Sequence, residues 1–125
     1  MFSYQLYNLV HIVGLVLVMA GLGGMIVTVI AGGEQRSVWA RRSAAAFHGL
    51  GIFLILLGGF GMLARLGLVR GTPWPGWVWV KAFVWGTLAL AAFLPYRYPK
   101  TAKPLLLLLP VLGGFAAYMA IYKPL

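Results

Sequence analysis

The sequence predicts an all-α protein, an antiparallel bundle of four transmembrane helices forming a single membrane domain over residues 1–125. Three observations predict it. The 125 residues are 62% hydrophobic and only 9% charged, more apolar surface than a water-soluble domain of this length can hide. Four stretches are continuously apolar rather than alternating, and a bilayer core of about 30 Å needs roughly 20 helical residues to cross. The segments between them are short, which forces sequential helices to lie adjacent and antiparallel. An open sheet with the same composition would leave backbone groups unsatisfied in hydrocarbon.

The first helix is expected over residues 4–31, with no charged residue and one histidine, His11. It lacks a basic leader and a small-residue cleavage site, so it reads as a retained helix rather than a signal peptide. The second is expected over 42–69 and the third over 75–93, after the chain-breaking run Gly71-Thr72-Pro73-Trp74-Pro75-Gly76. The fourth is expected over 104–122, with Pro110 inside it as a bend point. Pro95 and Pro99 mark 95–103 as a loop. Tyr and Trp gather at segment ends, as in interfacial belts.

Ten Lys and Arg stand against one acid, Glu34, giving a net charge of +9. The basic residues lie mostly between apolar segments, where anionic headgroups account for them. There is no phosphate-binding loop or zinc-finger spacing, so nucleic acid is not an expected partner. The lipid bilayer is. Arg36, Arg41, Arg42, Arg97, Lys100 and Lys103 fall on one side, against Arg65, Arg70 and Lys123 with Lys81 nearby. This bias places both termini on the periplasmic side of a bacterial inner membrane. With no cysteine, disulfides and thiolate chemistry are excluded. One acid provides no carboxylate pair for hydrolysis and no intramembrane proton relay.

Small residues repeat at helical spacing. His11, Gly14, Val18, Gly21 and Met25 share one face of the first helix, and His48, Gly51, Ile55, Gly58, Met62 and Arg65 share one of the second. In lipid such faces let backbones approach closely. On another face, the same small residues would leave room for a flat ligand beside a histidine.

The polar residues in the slab carry the functional signal. Counting a rise of about 1.5 Å per residue places His11 and His48 nearly 20 Å apart in depth. They therefore cannot share one iron, whose bond to imidazole is only about 2 Å. Lys81 falls at the depth of His11, and Arg65 and Arg70 end the second helix on that side. One imidazole, one ammonium and two guanidiniums suit a ligand with an aromatic body and carboxylates. His11 is the candidate haem iron ligand, Arg65, Arg70 or Lys81 the partners of the propionates, and Trp77, Trp79, Trp85 or Phe83 the packing surface. The competing readings are headgroup contacts for the arginines, snorkelling for Lys81 and a hydrogen-bonded packing role for His11. His48 could bond a neighbouring backbone carbonyl, face the interface, or serve a second haem or a quinone head.

The runs Leu9-Val10-His11-Ile12-Val13 and Met19-Ala20-Gly21-Leu22, with Trp77-Val78-Trp79-Val80-Lys81 opening the third helix, resemble a family of small bacterial four-helix membrane proteins. That family includes the haem-b-binding, HemJ-type protoporphyrinogen oxidase and copper-resistance-type membrane domains. The resemblance implies haem b, with His11 as ligand and Lys81 as a functionally important, catalytic residue. The chain departs from the oxidase members before Ala20-Gly21, where they carry tryptophan and this chain has Met19. The expected function is electron transfer or porphyrin-linked oxidation, with a quinone as candidate partner. The alternatives are a cofactor-free subunit of a larger membrane complex and a small transporter subunit. The expected assembly is a homo-oligomer or a larger membrane protein complex.

Overall fold

The computed structural model describes residues 3–31, 38–67 and 73–122. Among them the chain forms α1 (Tyr4–Ile30), α2 (Val38–Arg65), α3 (Gly76–Ala91), a short α4 (Leu94–Arg97), a 3-10 turn (Pro99–Thr101) and α5 (Ala102–Tyr122), and no strand. Three helices, Tyr4–Ile30, Trp39–Arg65 and Pro99–Tyr122 with its leading 3-10 turn, are long and apolar enough to cross a membrane. At 16 residues, α3 is about 24 Å long and falls short of the span expected over 75–93.

The helix ends follow local chemistry. The Ser3 hydroxyl accepts from the Leu6 N–H at 3.1 Å and caps α1. α2 starts at Val38 rather than 42, so Arg41 and Arg42 lie in its first turns. It ends before 69 because Gly67 adopts φ +74°, the left-handed conformation that closes a helix, and its N–H bonds the Ala64 carbonyl at 3.1 Å. α5 continues through Pro110. The expected loop over 95–103 is folded: Tyr98 N–H bonds Leu94 O at 2.8 Å and Thr101 N–H bonds Tyr98 O at 2.9 Å. Pro95 and Ala102 are buried beneath it. Its prolines sit at helix starts, where a missing N–H is harmless.

The tightest packing joins α1 to α2. A Cβ added at Gly14 would lie 2.7 Å from Ile55 N, and one at Gly21 would lie 2.8 Å from His48 N. A Cβ at Gly58 would lie 2.6 Å from His11 N. These contacts run in opposite order along the two helices, with the backbones touching at the two predicted glycine faces. Val18, Leu22 and Ile26 of α1 are fully buried with Ile55, Val84, Leu88 and Leu109 around them. Outward-facing Phe83, Leu107 and Ile121 are about three-quarters exposed, as expected where lipid tails supply the contacts.

Candidate functional site

Beside that seam, α1, α2, α3 and α5 border a cavity of about 390 Å³, inside the range of roughly 300–1,000 Å³ common for small-molecule sites. Its walls are largely apolar. The polar groups on it come from Tyr4, Asn8, His11 and Lys81, with the indoles of Trp74, Trp77 and Trp85. His11 and Lys81, placed at one depth by counting residues, thus meet at one cavity from two different helices.

His11 is held from behind. Gly58 brings the α2 backbone against its Cα–Cβ bond, and a Cβ at Gly59 would lie 3.6 Å from its Nδ1 and Cε1. The ring therefore rests on α2, and Nδ1 reaches the Ile55 carbonyl at 2.8 Å. A carbonyl only accepts, so Nδ1 carries the proton and donates it. The neutral ring then keeps its lone pair on Nε2. A backbone carbonyl that fixes one ring nitrogen while the other stays basic is the usual support of a metal-bound imidazole. The same bond also satisfies a polar ring among apolar helices, so it serves the packing role equally well.

Trp85 is fixed in the same way. Its Nε1–H donates to the Ile52 carbonyl at 3.1 Å, so both His11 and Trp85 anchor on α2, one turn apart. Of the aromatics considered for packing a ligand, Trp77 and Trp85 line the cavity. Trp79 and Phe83 are 60% and 75% exposed on the outer face of α3. Trp79 instead packs tilted against Trp74, with ring centroids 5.1 Å apart, and Trp74 contacts Phe60 at 5.7 Å. Trp74 and Phe60 both border the cavity.

His48 belongs to a different place. Its backbone packs at Gly21, ten residues beyond His11 on α1 and about 15 Å away along the axis. Its Nε2–H donates to the Leu88 carbonyl at 3.0 Å. Leu88 lies in the last turn of α3, which ends at Ala91. The final four carbonyls of a helix lack intrahelical donors, and among apolar helices no water replaces them. His48 thus caps α3 from α2, which accounts for a histidine at that depth.

Arg65 is exposed at the end of α2 and does not border the cavity. Arg70 lies outside the described residues. Asn8 and Tyr4 border the cavity without having been singled out. Asn8 is one turn and Tyr4 two turns before His11 on α1, so the i, i+3, i+7 rule was the available signal. Among the described residues no three His, Cys, Asp or Glu side chains come together. The single basic nitrogen of His11 suits a cofactor that brings most of its own metal ligands. Comparison with family models, with curated proteins and with solved structures yields no match.

Proposed function

We propose that this chain is a multi-pass protein of the bacterial inner membrane that holds haem b in the cavity beside His11 and acts in electron transfer. In this reading α3 joins the three long helices to complete an antiparallel four-helix bundle. The surrounding bilayer thins or the ends of α3 snorkel to accommodate its length. The observation that carries the proposal is the 2.8 Å bond from His11 Nδ1 to the Ile55 carbonyl, which leaves Nε2 basic on a ring that borders the cavity.

His11 would ligate the iron through Nε2, and Lys81 would pair its ammonium with a propionate. Trp77 and Trp85 would pack against the ring system. Bound haem would supply reversible one-electron chemistry. The protein's own contribution is position and field: apolar walls exclude water, and Lys81 favours an anionic group at that depth. A quinone is the natural partner for such a site within the membrane. Arg65 is left out of the propionate set, because it does not reach the cavity wall.

The test is a reduced-minus-oxidised visible spectrum of protein purified from haem-replete membranes. Wild type and His48→Ala are expected to show a b-type spectrum, and His11→Ala to lose it. A colourless wild type would assign His11 to helix packing and the chain to a cofactor-free subunit of a larger assembly.

A further inference from the structure

The opposite end of the molecule carries a second feature, independent of the cavity. Arg41 and Arg42 project from the first turns of α2, Arg97 ends α4, Lys100 lies in the 3-10 turn and Lys103 opens α5. All five side chains are exposed. Two separate stretches of chain supply them, and a ring contact joins the stretches: the Arg41 guanidinium lies 4.6 Å from the centre of the Tyr96 ring. Arg97 lies over Tyr98 at 5.8 Å.

An irregular loop would present such charges loosely. Here the backbone is fixed. Besides the two turn bonds already described, Thr101 Oγ1 donates to the Tyr98 carbonyl at 2.7 Å, and buried Pro95 pins α4 to the helices below. Stacking on Tyr96 restrains Arg41. Charge arithmetic makes the ligand anionic. With ten basic residues and one acid in the whole sequence, nine positive charges exceed what the chain's own side-chain carboxylates can neutralise.

The position of the platform selects the kind of anion. It lies where α1 ends and the long α2 and α5 begin, at the level where an apolar helix leaves hydrocarbon. Around it Trp39, Phe93 and Tyr98 are 78%, 70% and 55% exposed. Exposed aromatics beside basic groups match the boundary between acyl chains and phosphates, and are poorly suited to an aqueous macromolecule. We propose that this platform is a binding site for an anionic phospholipid. The headgroup phosphate is held by Arg41 and Arg97 with Lys100 and Lys103, and the acyl chains lie along the exposed aromatics.

The test uses the full-length protein in nanodiscs of phosphatidylcholine with a minor fraction of phosphatidylglycerol, with retained lipid counted by native mass spectrometry. Wild type is expected to retain phosphatidylglycerol preferentially. Arg41→Gln and Arg97→Gln should each weaken that preference about five-fold, the effect expected per basic residue at a charged membrane surface. Arg65→Gln, at the far end, should leave it intact. Tyr96→Leu keeps every charge but frees Arg41, and should weaken retention by less than Arg41→Gln. Circular dichroism of each variant checks that it is helical. Equal retention of both lipids by wild type would overturn the proposal. So would equal losses in Arg65→Gln and Arg41→Gln, or displacement of the lipid by an RNA oligonucleotide or polyglutamate.

Discussion

Along α1, Gly14 and Gly21 meet α2 with no room for a methyl group, whereas Tyr4, Asn8, His11, Ile12 and Leu15 border a cavity of about 390 Å³. On the first side backbone meets backbone at Gly14, Gly21, Gly51 and Gly58. On the second, contact at one α5 glycine is with a flexible tip: a Cβ at Gly113 would meet only the Met19 methyl, at 3.2 Å. Both sides are apolar, so hydrophobicity does not distinguish them. The difference lies in side-chain size and in where the polar groups go. His11 stands at the junction, braced on the tight side and bordering the open one. The tight side fixes the position of the ring, and the open side leaves space for what the ring could bind.

The largest expected effect breaks the tight side. Gly14→Leu or Gly51→Leu would drive a side chain into backbone that cannot yield, and should cost about 3 kcal/mol or more. Thermal unfolding in detergent would show it, as loss of a cooperative transition or a large drop in midpoint. Equal tolerance of leucine on both sides of α1 would erase the contrast. Next comes the open side: Ala116→Leu adds bulk where the cavity has space. Its stability should stay within about 1 kcal/mol of wild type, while haem binding is lost. A smaller effect separates the two histidines. His48→Ala uncovers the Leu88 carbonyl and should destabilise by about 1 kcal/mol without affecting haem, read from the same melts and spectra. The smallest is Gly23→Ala. Nothing lies within 4 Å of a Cβ there, so the substitution should be neutral or add up to about 1 kcal/mol of helix stability.

The tight side was legible in the sequence because a close helix contact demands small residues at fixed spacing. Gly14 and Gly21 on α1, with Gly51 and Gly58 on α2, mark both faces, and the structure brings those faces together. The grouping of His11 with Lys81 was legible for a similar reason, since depth in a helix can be counted. Side-chain direction was not. Trp77, Trp79, Trp85 and Phe83 were equivalent by composition, and only the rotation of α3 turns two of them inward. For His48 a carbonyl bond was among the expected readings and the structure supplies it at Leu88, but which carbonyl depends on where α3 stops, and the sequence stays apolar through Phe93, two residues past that end. The folded platform after α4 was missed because Pro95 and Pro99 are loop signals that also suit a first helical turn. Arg65 shares the predicted face of α2, yet it is exposed and off the cavity wall while its neighbour Leu66 lies on it, a matter of side-chain direction again.

The most direct test pairs one spectrum with one melting curve on Ala116→Leu. The account predicts a b-type visible spectrum for wild type and none for Ala116→Leu, with unfolding midpoints that agree closely. A variant that kept its full haem complement, or that lost haem only by unfolding, would contradict a ligand held in the open side of α1.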